Sequence, residues 1–308
     1  MAVATRTAYG EALAELIKTN EKIVVLDADL TKSTKTNAAQ TACPERHYNM
    51  GIAEANMTSV AAGFAANGYT AFASTFAMFA TGRSWEQVRN SIAYPQLDVK
   101  ICGTHSGIAV GEDGVSHQAI EDIAIMRVIP GMEVYSPCDQ WQTREVIKYV
   151  ATTGKPCYVR LGRANVEDVY TADYKFDPTK ISVLNEGKDV AIFATGLMVQ
   201  KSMEALELLK AEGFNPTIVN VCSIKPLDED GVLEVLKNHK HIITVEEHNV
   251  IGGLGSAISD VSVKSCPKLI TKIGLQDHFA ESAEFNQLLD KYGLDAKAIV
   301  KAVKEIVK

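Results

Sequence analysis

Short apolar runs alternate with amphipathic segments along the whole chain. Ala8, Ala12, Leu13, Leu16 and Ile17 recur at helical spacing, with Thr7 placed to cap the segment. The run Ile23-Val24-Val25-Leu26 that follows has the continuity of a strand buried on both faces. A polar loop over 27–36 comes next. The pattern then predicts a helix over 53–66, a turn at Asn67-Gly68, a strand over 69–74, a long helix over 78–93 and a strand over 99–102. A loop over 103–117 leads to a helix over 120–128, a strand over 132–135, a helix over 140–151 and a strand over 157–161.

This rhythm breaks over 162–187, where scattered Asp, Tyr and Lys residues and Pro178 show no periodicity. It restarts at Asp189-Val190-Ala191-Ile192-Phe193-Ala194, with further strands expected near 217–221, 242–245 and 269–273 and two helices at the end. Strand–helix alternation implies parallel sheets covered by helices on both faces, an α/β class. The expectation is two doubly wound domains, 1–165 and 189–308, joined by a linker over 166–188. In such sheets ligands sit beyond the C-terminal ends of the strands.

A length of 308 residues suits two domains. With 38 acidic and 31 basic residues the net charge is −7, which gives no attraction to a phosphate backbone and argues against nucleic-acid binding. The six cysteines form no C-x-x-C pair, and the first residues hold no apolar core of signal-peptide length. Free thiols in a reducing cytoplasm are expected. Residues 55–82 carry no charge, but Asn56, Thr58, Ser59, Asn67, Gly68, Thr70, Ser74 and Thr75 interrupt them, so no membrane span is expected. So much small, uncharged surface suggests a helix packed against another subunit.

Polar and aromatic residues gather just after the expected strands of the first half: Asp29, Thr31 and Ser33, then Phe76 and Phe79, then His105, Asp113 and His117, then Arg160 and Arg163. Glu54 is the only charge between Arg46 and Arg83. It reads either as a carboxylate favoured by a helix N-terminus or as a buried carboxylate kept for proton transfer. Phe76 and Phe79, three apart, read as core packing or as a stacking face for a flat heteroaromatic ring. His105 and His117 flank the loop Gly111-Glu112-Asp113-Gly114, where two imidazoles and an acid point to a site; no ligand quartet for a metal accompanies them. Arg6, Ser33, His105 and Arg163 offer the forks and hydroxyl that grip a phosphate. Gly252-Gly253-Leu254-Gly255 lacks the full dinucleotide spacing and reads as a tight turn into a helix, and Glu246-Glu247-His248 before it have no assigned role.

Taken together, Ala4-Thr5-Arg6, Asp27-Ala28-Asp29-Leu30-Thr31-Lys32-Ser33, Gly51-Ile52-Ala53-Glu54, Ser74-Thr75-Phe76-Ala77-Met78-Phe79, Thr104-His105, Gly111-Glu112-Asp113-Gly114-Val115-Ser116-His117-Gln118 and Gly162-Arg163-Ala164-Asn165 resemble the C-terminal half of transketolase in order and spacing. The resemblance spans nearly the whole chain. It implies a pyrimidine-binding domain followed by a smaller C-terminal α/β domain. It implies thiamine diphosphate as cofactor, with Glu54 matching the glutamate that hydrogen-bonds its aminopyrimidine and favours the imino tautomer. By the same resemblance Phe79 stacks on the pyrimidine, Phe76 lines its pocket and Asp29 lies near the cofactor. His117 would polarise substrate oxygens, Asp113 bind the hydroxyl beside the carbonyl, and Arg6, Ser33, His105 and Arg163 hold the sugar phosphate. Two positions depart from the family: Gly82 stands where a tyrosine is common, and Val115-Ser116 replaces Pro-Thr.

The family's diphosphate and Mg²⁺ (or Ca²⁺) site, a Gly-Asp-Gly followed by Asn, has no counterpart here. The resemblance therefore implies one subunit of a split, cytoplasmic transketolase of the pentose phosphate type, with an N-terminal partner subunit holding the metal and self-association into a heterotetramer. The rivals are a 1-deoxyxylulose-5-phosphate synthase-like chain, a 2-oxo acid dehydrogenase beta-type subunit, and a non-catalytic subunit that keeps only the fold.

Overall fold

The continuous apolar runs become central strands because a parallel strand sandwiched between helix layers hides both of its faces from water. The structure, a computed structural model, describes residues 2–308. Val3–Ala4 is β1, Ile23–Asp27 β2, His47–Asn49 β3, Thr70–Phe76 β4, Val99–Thr104 β5, Glu133–Tyr135 β6, Cys157–Arg160 β7 and Asn165–Val166 β8. Ser182–Asn185 is β9, Val190–Ala194 β10, Thr217–Asn220 β11, Ser223–Lys225 β12, His241–Asn249 β13 and Ile270–Leu275 β14. Every residue of β2, β4 and β5 is buried.

A seven-stranded sheet has the order β12-β6-β7-β5-β4-β2-β3, parallel except for β12. Register matters for the site. Asp27 pairs with Ser74, Phe76 with Thr104, and Gly103 with Arg160, so the C-terminal ends of β2, β4, β5 and β7 finish along one edge. A second sheet, β14-β13-β10-β11-β9, is parallel except for β9. These are the two α/β domains expected, and they are tightly joined. β12 follows the first two parallel strands of the second domain, β10 and β11, yet extends the first sheet by pairing Ser223 with Tyr135. The ribbon β1–β8 pairs Val3 with Val166 and ties the chain's start to the end of the first domain.

Helices cover both faces. Tyr9, Leu13 and Ile17 of the helix Thr5–Thr19 pack with Val25, Phe72 and Cys102 on one side of the first sheet. On the other side Met57, Val88, Ile92 and Ile123 meet Leu26, Ala73 and Ile101. Each Val, Leu, Ile, Phe or Met among them contributes about 1.5–3 kcal/mol by leaving water. The second domain's core joins Ile192, Ile218 and Ile243 to Met198, Leu206 and Ile299, and it also takes in Ile108 and Ile120 from the first domain.

Four local expectations change. Thr7 lies inside the first helix, which begins at Thr5; no side chain caps it, and the Thr5 hydroxyl instead accepts the Gly162 N–H at 2.8 Å. The helix over 78–93 is wound in wide π turns, Phe79–Arg83 and Val88–Ala93, on either side of Trp85–Gln87. The stretch expected as linker ends in β9, a half-exposed edge strand whose short alternation is too weak to read as a strand. The loop after β5 contains a 3-10 segment, Ile108–Asp113. Among the described residues no helix is long and apolar enough to cross a membrane. All six cysteines are free thiols and five are buried.

Candidate active site

The edge where four parallel strands end carries most of the residues singled out from the sequence. Phe76 closes β4, and the π turn that follows brings the Phe79 ring to 5.9 Å from it, only 14° from parallel. His105 follows β5 with φ at +58°, a backbone region that a non-glycine residue occupies only when its surroundings hold it there. Its ring lies 3.9 Å from that of Phe76. His117 stands edge-on to both phenylalanines, at 5.9 and 5.3 Å. Two aromatic faces and two imidazoles thus share one wall.

Arg6, in the first turn of the helix Thr5–Thr19, reaches this wall. Its Nη1 donates to the Ser33 carbonyl at 2.9 Å and lies 3.0 Å from His105 Nε2. A guanidinium only donates, so Nε2 is the acceptor and the His105 proton sits on Nδ1, 2.9 Å from Thr104 Oγ1. Burial, reinforced by the positive charges of Arg6, Arg163 and Lys35, lowers the His105 pKa to about 3. It is a neutral imidazole in a cationic surrounding. Arg163 donates to the Val110 carbonyl and lies 3.5 Å from a Glu112 carboxylate oxygen. A concentration of cations with so little facing negative charge suits an anionic group.

Glu54 opens the helix Glu54–Ala66 and is 2% exposed. Its carboxylate meets a partner that the uncharged stretch 55–82 did not suggest. Arg83, the first charge beyond that stretch, donates from Nη1 to Glu54 Oε2 at 2.8 Å. The Arg83 guanidinium also lies 4.9 Å from the Phe79 ring centre, a cation–π contact, while its side chain remains 53% exposed. An unbroken succession of contacts runs Glu54, Arg83, Phe79, Phe76, His105, Arg6.

Other expected residues stand apart or act differently. Ser33 presents its carbonyl, not its hydroxyl, to Arg6. Asp29, exposed and with φ at +60°, exchanges hydrogen bonds with the Asn49 carboxamide. Asp113 is exposed at the end of its 3-10 segment, with no side-chain hydrogen bond among the described residues. Arg160 turns away, to Asp122 at 2.7 Å and the Glu247 carbonyl at 2.9 Å, because it bridges the two domains. Gly82 is exposed, and a Cβ there would meet only the Met78 methyl, at 3.2 Å, the end of a flexible side chain.

Some organising residues had no role assigned from the sequence. Asp27, fully buried at the end of β2, accepts from Thr31 at 2.8 Å and Thr36 at 3.1 Å, with His47 Nε2 2.9 Å away. Burial alone would raise its pKa, but these partners hold it below the usual carboxylate range. It shapes the loop that offers the Ser33 carbonyl. Glu246 accepts the N–H groups of Leu254 and Gly255 at 2.7 and 2.8 Å, which makes Gly252–Gly255 a capped turn into a helix. The sequence signal was an acidic pair closing an apolar strand just before a glycine-rich turn.

Comparison with known proteins identifies both domains. Residues 1–168 match the family "Transketolase, pyrimidine binding domain", and residues 179–299 match "Transketolase, C-terminal domain". A Methanocaldococcus jannaschii protein described as a transketolase C-terminal section is 46% identical over 98% of this chain and 96% of its own length. The 6-deoxy-6-sulfo-D-fructose transketolase subunit of Clostridium sp. (strain MSTE9) is 38% identical over 98% of this chain and 94% of its own. A solved split gene transketolase, an inactive beta4 tetramer, superposes with a TM-score of 0.90 at 49% identity, covering 99% of this chain and 98% of that one. With both domains matched and relatives alike over nearly their full lengths, the chain belongs to the transketolase family, as its C-terminal half.

Proposed function

We propose that this chain is the C-terminal subunit of a thiamine-diphosphate-dependent transketolase. With an N-terminal partner subunit it moves a two-carbon ketol unit from a ketose phosphate to an aldose phosphate. The observation that carries this reading is the succession Glu54, Arg83, Phe79, Phe76, His105, Arg6 on one sheet edge.

The residues present fit one end of the cofactor. A flat aminopyrimidine needs an aromatic face and a carboxylate at its edge. Phe79 and Phe76 supply near-parallel rings, and Glu54 supplies a carboxylate shielded from water. Thiamine diphosphate, when bound, stabilises the carbanion that ketol transfer requires. Glu54 would hold the aminopyrimidine by sharing a proton with a ring nitrogen, in place of its present partner Arg83. Asp29 remains the acidic residue assigned to the cofactor's neighbourhood. His105 stays neutral, and its Nε2 accepts from Arg6 or from a substrate hydroxyl. His117 turns to the substrate oxygens and Asp113 to the hydroxyl beside the carbonyl. Arg6, Arg163, His105 and the loop of Ser33 hold the phosphate.

No Gly-Asp-Gly with a following Asn stands in this sequence, so the cofactor's diphosphate and its Mg²⁺ are assigned to the partner. The solved relative named as an inactive beta4 tetramer supports the idea that such a subunit does not act alone. Co-purification from the native cell followed by a donor–acceptor panel tests the assignment. Ketose phosphate plus aldose phosphate is expected to react, and pyruvate with an electron acceptor is not. The reverse would favour a 2-oxo acid dehydrogenase beta-type subunit, which has no need for the basic set around His105.

A further inference from the structure

The loop that starts at His105 and ends at His117 is built on the second domain as much as on the first. Ile108 is buried in the second domain's core. The Ser282 hydroxyl donates to the Glu112 carbonyl at 2.6 Å, and the Gln118 carboxamide donates to the Glu281 carbonyl at 2.9 Å. At the turn itself one side chain from the second domain enters. Glu247, on β13, is 4% exposed, and its Oε1 accepts the Ala109 N–H at 2.5 Å, with the Ile108 N–H also directed at the carboxylate. A Cβ on Gly107 would collide with that carboxylate, and Gly107 has φ at +73°, so glycine is needed there on both counts.

We propose that Glu247 is a positioning residue for substrate: it holds the backbone of the His105–His117 loop, so the C-terminal domain sets the geometry of the sugar-phosphate site without touching sugar or cofactor. This rests on the functional reading above only for its kinetic consequence. A fully buried carboxylate is a costly choice for mere packing. Burial pushes its pKa up to about 7 despite the nearby Arg160 guanidinium and the backbone donors, with Asp122 adding to the rise. Arg160 spans Asp122 and the Glu247 carbonyl, and so fixes β13 against the first domain at the same place. The carboxylate accepts the Ala109 N–H of a turn, four residues beyond one imidazole and eight before the other. Where the carboxylate is ionised, such a charge-assisted bond is about twice as strong as a neutral one.

Glu247→Gln and Glu247→Ala test this in two settings. In the isolated chain, amide hydrogen exchange at residues 108–110 is expected to quicken at least tenfold in Glu247→Ala and about threefold in Glu247→Gln, a weaker acceptor. Amides of β2 and β4 should stay unchanged, and the ring resonances of His105 and His117 should move. Unchanged loop exchange, or acceleration spread evenly over the first sheet, overturns the proposal. In the complex with the N-terminal subunit, KM for the ketose phosphate donor should rise about tenfold in Glu247→Ala with kcat within threefold of wild type, and Glu247→Gln should fall between. A quickened loop with unchanged KM overturns the role toward substrate. A wild-type complex without ketol transfer defeats the functional reading instead, and the exchange result on the loop still decides whether Glu247 holds it. If Glu247→Ala does not fold, Glu247→Gln alone decides by the same exchange comparison.

Discussion

Glu54 and Arg83 differ sharply in exposure: the carboxylate is buried, while half of the guanidinium side chain stands in water. Removing the buried member leaves no charge stranded in the core. Glu54→Ala is therefore expected to change unfolding free energy by no more than about 1 kcal/mol, read by denaturant titration, and to abolish turnover of the reconstituted complex. Full activity in that variant would remove the cofactor argument. His105 offers a second test at this scale. Its pKa of about 3 lies below the 6.5 of an unfolded histidine. Between these values only the unfolded chain takes up the proton, so this group's contribution is present above pH 6.5 and is lost as pH falls toward 3. Imidazole NMR should show His105 neutral down to about pH 4, and a midpoint near 6.5 would contradict the packing described. Much of the wall was legible beforehand, because Phe76, Phe79, His105 and Arg6 sit at predictable strand ends and a helix start. Arg83 was not, since its meeting with Glu54 across 29 residues depends on a π turn that leaves no mark on hydrophobic spacing.

Among elements, the central parallel strands were readable because a doubly covered strand must be apolar throughout. The short edges β3, β9 and β12 were not, for each has at most four residues and takes its pairing from a neighbour rather than from its own pattern. Replacing the expected regular helix over 78–93 by π turns matters for the site, since that winding carries both Phe79 and Arg83. The helix Glu54–Ala66 leaves Asn56, Ser59 and Gly63 exposed on one side, with Ile52 just before it 78% exposed. A Cβ at Gly63 meets nothing within 4 Å, and arginine is the better helix former by a few tenths to 1 kcal/mol. Gly63→Arg is thus expected to fold normally yet fail to assemble, with itself or with the N-terminal subunit, as judged by light scattering. Wild-type assembly would show that this face is not an interface.

For the whole molecule, the two domains act as one support. β12 crosses to the first sheet, Arg160 bridges to β13, and Ile108 and Ile120 sit in the second core. Two domains were readable from the interrupted rhythm near 162–187, but their interlocking was not, because it arises from single side chains such as Glu247 in stretches without periodicity. Under the proposed function, this firmly built aromatic and basic wall would hold one end of thiamine diphosphate, and a second subunit would complete the site. The most direct measurement is ketol transfer by the purified chain with thiamine diphosphate and Mg²⁺, with and without a partner carrying the Gly-Asp-Gly and Asn motif. No transfer by the chain alone and turnover restored on mixing is the expected result; robust turnover by the chain alone would contradict it.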